Sequence, residues 1–152
     1  MPSYTKYSVN VYKDGSKFWY LNGERHRTDG PAVEYATGIK EWYLNDKLHR
    51  TDGPAVEWSD GSKHWFLNGE LHREDGPAVE WADGSTFWYL NDKFHRTDGP
   101  AVEYADGEKF WYLNGQKMTK AEHARCTQQP AKELSVAEIE KLLGYKIKIV
   151  KE

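Results

Sequence analysis

Apolar residues in this chain fall in short runs with a period of two. Lys17-Phe18-Trp19-Tyr20-Leu21 and Ala32-Val33-Glu34-Tyr35 are rich in aromatic and β-branched side chains and are bounded by turn-forming pairs. That pattern predicts strands, since a helix would place its apolar positions every three or four residues. The runs also recur. DGSKFWYLNGERHRTDGPAVEYA from Asp14 returns as TGIKEWYLNDKLHRTDGPAVEWS from Thr37, then as DGSKHWFLNGELHREDGPAVEWA from Asp60 and DGSTFWYLNDKFHRTDGPAVEYA from Asp83. A fifth unit, DGEKFWYLNGQKM, starts at Asp106 and lacks the second half. A fixed period of 23 residues marks a stacked repeat array, whose end units are expected to be atypical.

Three breakers divide each unit. Asp60-Gly61, Asp83-Gly84 and Asp106-Gly107 read as two-residue hairpin loops, with Thr37-Gly38 a weaker version in the same slot. Asn22-Gly23, Asn68-Gly69 and Asn114-Gly115 mark a second hairpin, where Asn45-Asp46 and Asn91-Asp92 substitute. Asp29-Gly30-Pro31 and its copies end a short arm. The expected fold is mainly β, an elongated antiparallel meander of about ten strands built from hairpin repeats. The array covers residues 1–118, with a cap at 1–13 and repeats from 14, 37, 60, 83 and 106; residues 119–152 form a small α/β cap.

Placing Thr37-Gly38 as the loop sets Ala36 opposite Ile39, Glu34 opposite Glu41 and Val33 opposite Trp42. One face then carries Val33, Tyr35, Trp42 and Leu44 and reads as core, with the Trp and Leu positions of later units buried alongside. The other carries Ala32, Glu34, Glu41 and Tyr43, with Phe18, His64, Phe87 or Phe110 at the Glu41 position. The arm is the expected cover of the core face.

The segment after Met118 differs. Thr119-Lys-Ala-Glu122 and Ser135-Val-Ala-Glu138 are capping boxes, the first opening a helix to about Cys126 and the second a helix with Val136, Ile139, Leu142 and Leu143 on one face. Tyr145 to Val150 alternates like an edge strand.

Composition narrows the function classes. Hydrophobic residues are 38% and charged residues 30%, but seven Trp supply large buried areas, which argues against disorder. One cysteine excludes an internal disulfide, and no apolar run approaches a bilayer span or a signal peptide. A soluble, cytoplasmic protein with no membrane role is expected. Residues 1–118 carry 14 basic and 19 acidic side chains, net −5, and residues 119–152 carry 7 and 5, net +2. A net-acidic array argues against general nucleic-acid binding.

Two rows could carry chemistry. The first is His26-Arg27, His49-Arg50, His72-Arg73 and His95-Arg96, each followed by Asp29, Asp52, Asp75 or Asp98. Structurally, Arg would pair with Asp and His would bond a backbone carbonyl, locking the arm. Functionally, the row would be an anion ladder stepped by ~10 Å, which suits discrete small anions or one acidic partner better than a nucleic-acid backbone. The second row is aromatic: Phe18/Tyr20, Tyr43, His64/Phe66, Phe87/Tyr89 and Phe110/Tyr112 on the outer face. It is either cross-strand packing or a protein-binding strip. Histidines 23 apart cannot share one metal ion unless His64 joins a neighbour, and Cys126 with His123 is a weak dyad. No metal, cofactor or catalytic constellation is expected.

The 23-residue period, the aromatic-Asn-Gly hairpin and the Gly-centred turns resemble divergent variants of the MORN family of β-hairpin repeats, although the Y-x-G-x-W opening is absent. The string WYLNG–HR–DGPAVEYADG and the ending LSVAEIEKLLGYKIKIV are similar to repeat proteins of tailed bacteriophages. That resemblance implies a phage-encoded protein in the host cytoplasm. The expected function is non-enzymatic: binding a host protein, such as a defence factor, through Tyr43, Phe66, Phe87 and Tyr89 with help from His49, Arg50, His72, Arg73, His95 and Arg96. The alternative is a binder of a small, nucleotide-like anion at the His-Arg row. Self-association is left open.

Overall fold

A computed structural model describes residues 7–128; the second capping box and the terminal alternating run lie outside them. Each repeat contributes two strand segments to one twelve-stranded antiparallel sheet, and three further hairpins stand beside it. The fold is mainly β, as the period-two pattern predicts, with a helix only at Lys120–Gln128 among the described residues.

Both turn types follow from backbone preference. Asn22 and Gly23 both have positive φ (54° and 88°), as do Asn45 and Asp46 (52° and 58°), which is the two-residue hairpin geometry. The Asp-Gly turns are different. Gly38 and Gly61 are left-handed (92° and 94°), but Thr37 and Asp60 are not. Gly38 N–H donates to the Tyr35 carbonyl at 2.9 Å and Tyr35 N–H to that of Ile39 at 2.9 Å. The loop is therefore Ala36-Thr37-Gly38, a turn closed by a glycine bulge. In the Asp copies the side chain stabilises it: Asp60 Oδ1 accepts the Ser62 N–H at 2.8 Å.

One extra loop residue shifts the register from the expected one. Val33 faces Glu41 and Glu34 faces Lys40. The expected pairing would have set Glu34 against Glu41, two like charges; the observed one sets Glu against Lys. Because side chains alternate, a one-residue slip exchanges the faces. Val33 is thus flanked by Phe18 and Glu41, Val56 by Glu41 and His64, Val79 by His64 and Phe87, and Val102 by Phe87 and Phe110. The aromatic positions expected on the outer face lie in the same row as the valines. On the opposite face Lys17, Glu34, Lys40, Glu57, Lys63 and Glu80 alternate in sign.

The buried core is the Ala-Val pair of every repeat. Ala32, Ala55, Ala78 and Ala101 are fully buried, and Val33, Val56, Val79 and Val102 nearly so. The tryptophans expected as core (Trp42, Trp65, Trp88) are half-buried. They serve as bends instead. Trp42 N–H donates to the Ala55 carbonyl at 2.8 Å, and its own carbonyl accepts from His49 N–H at 3.0 Å. The strand therefore leaves the large sheet after Lys40–Glu41 and enters the side hairpin at Tyr43–Leu44.

Buried serines join successive tips. Ser16, Ser62 and Ser85 Oγ accept N–H bonds from Ala36, Ala82 and Ala105 of the next tip, each at 3.0 Å. At the far end, Thr119 and Glu122 form the expected capping box. Buried His123 fastens the helix to the Arg96 carbonyl at 2.6 Å.

Candidate functional site

Every arm arginine is held by the same set of contacts. Arg50 lies over the Trp42 ring, 4.0 Å from its centroid. It donates Nε–H to Asp52 at 2.8 Å, and a terminal N–H to the Pro54 carbonyl at 3.1 Å and to Glu57 at 2.9 Å. Arg27, Arg73 and Arg96 repeat this on Trp19, Trp65 and Trp88. Their guanidiniums hold Asp29, Asp52, Asp75 and Asp98 below the usual carboxylate range through hydrogen bonding. Each arginine is thus met by two carboxylates, and an added anion would enter a net-negative site. The ladder geometry favours the locking role over anion capture.

The histidines do not bond backbone carbonyls as expected. His26, His49, His72 and His95 reach the side chains of Asn45, Asn68, Asn91 and Asn114 in the next repeat, at 2.7–2.9 Å. Each arm is therefore latched to the following turn. Between neighbouring arms lie open notches, one of about 470 Å3 lined by Arg27, Asp29, Trp42, His49 and Asp52. No group of three metal-binding side chains occurs among the described residues.

The proposed aromatic strip is redistributed by the register. Tyr43 is buried, 8% exposed, packed with Ala32, Val33, Phe18 and Leu48. Burial, reinforced by Glu41, pushes its phenol up to about 12, with Arg25 opposing. Arg25 stacks on its ring at 3.9 Å and pairs with Asp46 at 2.7 Å, where later units carry Leu48, Leu71 and Phe94. Phe66 and Tyr89 are half-buried in the same side layer, Tyr89 stacked on Phe94 at 4.3 Å. Phe87 is half-buried beside Val79 and Val102.

The exposed aromatics are others. Tyr12, Tyr35, Trp58, Trp81 and Tyr104 are 37–46% exposed, one at each hairpin tip. They pack edge-on against the inner rings: Tyr35 on Phe18 at 5.4 Å, Trp81 on His64 at 4.9 Å, Tyr104 on Phe87 at 5.3 Å. Two strands per repeat step this ridge by ~10 Å. Tyr35, expected on the core face, is 37% exposed; the signal in the sequence is an aromatic kept in every unit two residues before the Asp-Gly or Thr-Gly pair.

His64, like Glu41, departs from the phenylalanine that the other three units carry at this position. It lies between Trp58 and Trp81, and its Nε2 is buried without a hydrogen-bond partner. Burial lowers its proton affinity, opposed by Asp60.

No family model matches the chain, and no curated protein matches it.

Proposed function

We propose that the chain is a non-enzymatic, repeat-built binding protein that recognises a macromolecular partner through the ridge of tip aromatics. The observation that carries this reading is the row Tyr12, Tyr35, Trp58, Trp81 and Tyr104, one large half-exposed ring per repeat. Interfaces draw most of their affinity from a few aromatic anchors, and repeat arrays offer extended surfaces for them. The inner rings hold these side chains in place, which lowers the entropy lost on binding. The arm arginines are occupied within the molecule and serve the scaffold. The similarity to tailed-phage repeat proteins supports a phage-encoded protein acting on a host protein in the host cytoplasm.

Replacing Trp58, Trp81 and Tyr104 together by Ser tests the reading. The variant is expected to fold, by circular dichroism, and to lose a partner captured from bacterial lysate by the parent protein. Replacing Tyr43, Phe66 and Tyr89 is expected to unfold the protein instead. Undiminished capture by a folded ridge variant, or a nucleotide that raises the melting temperature, would count against it.

A further inference from the structure

We propose that the ridge takes an extended basic segment of its partner, with an Arg or Lys at every third residue. This deepens the partner-binding reading above and rests on it. The inference comes from what each tip holds besides its ring. In four of the five tips an aspartate stands two residues after the aromatic: Tyr12 with Asp14, Trp58 with Asp60, Trp81 with Asp83 and Tyr104 with Asp106. One oxygen of Asp60, Asp83 and Asp106 accepts a backbone N–H at 2.8–2.9 Å, and no ion pair among the described residues reaches any of the three. Hydrogen bonds from Ser62 hold Asp60 below the usual carboxylate range, so it stays charged.

An exposed ring on the same tip as a carboxylate free of ion pairs among the described residues is the chemistry that recognises a guanidinium or ammonium group. The molecule uses this pairing internally. The Arg50 guanidinium lies 4.0 Å from the Trp42 ring centroid while donating to Asp52 at 2.8 Å. At the tips the two anionic and aromatic elements recur, and the cation is missing from the described residues.

Spacing sets the partner's pattern. Successive tips are two strands apart, ~10 Å, and three residues of a polyproline-II segment advance ~9 Å and bring the side chain back to the same face. A cation at every third position would therefore meet successive tips. Charge agrees with this, since residues 1–118 carry a net −5. Thr37 replaces the aspartate in the second unit, so the cation facing Tyr35 is dispensable.

The test uses two fluorescein-labelled peptides of one composition. One has five Arg-Ser-Gly triplets; the other has its five arginines contiguous. Fluorescence anisotropy with the full chain is expected to show at least tenfold tighter binding of the spaced peptide. Asp60→Asn with Asp83→Asn keeps the turn-stabilising oxygen and should weaken that binding at least tenfold, as should Trp58→Ser with Trp81→Ser. Equal affinity for the two peptides, or full affinity in either variant, would overturn the proposal. If the ridge variant loses a lysate partner while the spaced peptide binds no better than the contiguous one, the basic segment is refuted and partner binding stands.

Discussion

His64 is where one repeat departs from its neighbours at a cost that can be measured. Phe18, Phe87 and Phe110 hold the equivalent position, each opposite a valine. His64 sits between Val56 and Val79 with Trp58 and Trp81 across it, and its Nε2 meets no partner. A buried unsatisfied polar group costs ~1–3 kcal/mol. His64→Phe removes it with a ring the fold accepts elsewhere, so a gain of about 1–2 kcal/mol is expected once the larger ring's fit is allowed for. In a chain of this length that is ~2–8 °C in melting temperature. The gain should depend on pH. Burial disfavours the charged imidazole in the folded state, whereas the unfolded chain protonates near ~6.5. As pH falls through that range the unfolded state takes up the proton more readily, and stability is lost. The advantage of His64→Phe should therefore be larger at about pH 5.5 than at about pH 8. Thermal melts followed by circular dichroism at both values decide it. An advantage that is the same at both pH values, or a variant less stable than the parent, would refute the account.

Two further outcomes follow from the repeat contacts. Arg50→Ala removes the stack on Trp42 and the bond to the Pro54 carbonyl, and leaves Glu57 without its partner. It should cost ~2–4 kcal/mol in denaturant unfolding, with Arg50→Lys restoring only part because it lacks the planar fork; a loss below ~1 kcal/mol would show that the clamp is not structural. Ser62→Ala strands the Ala82 N–H, which Ser62 Oγ accepts at 3.0 Å, and should cost ~1–2 kcal/mol while speeding exchange of that one amide. Unchanged exchange at Ala82 would mean that the serine is not the joint between tips.

Much of the architecture was legible because it repeats. The Asn-Gly hairpins, the arms and the capping box at Thr119 all rest on short-range signals, and each occurs where the residues predict. The Asp-Gly turns misled because one dipeptide serves two loops. With both residues at positive φ it closes a two-residue hairpin; with only the glycine there it closes a three-residue one. Asp60 and Thr37 both take the second form, which in the Asp copies is reinforced by the carboxylate capping Ser62. That single extra loop residue moved Tyr43, Phe66 and Tyr89 into the interior layer. Charge could have chosen between the registers, since only the observed one sets Glu34, Glu57 and Glu103 opposite lysines across the tip turns. The His-Asn latch spans 19 residues, beyond any local signal, yet the asparagine persists in all five turns while its glycine neighbour does not.

The tip aromatics do two things at once, and this explains why they are kept yet exposed. A sheet buried on one face normally needs a second layer to cover it. Here, among the described residues, rings do so: Tyr43 of the side hairpin packs on Val33, inner rings come from the paired strands, and tip rings lean over them edge-on. The tip ring gives one side to the valines and inner rings and keeps 37–46% of its surface in solvent. On the other face the arginine stacks cover the tryptophans and leave their own charges satisfied. Burial of the core thus uses up the arm cations and leaves rings and aspartates at the tips. Each added repeat lengthens that surface by one ring and one step of ~10 Å without altering its neighbours. The affinity of such a ridge for a periodic partner would therefore grow with repeat number, as linked weak contacts do.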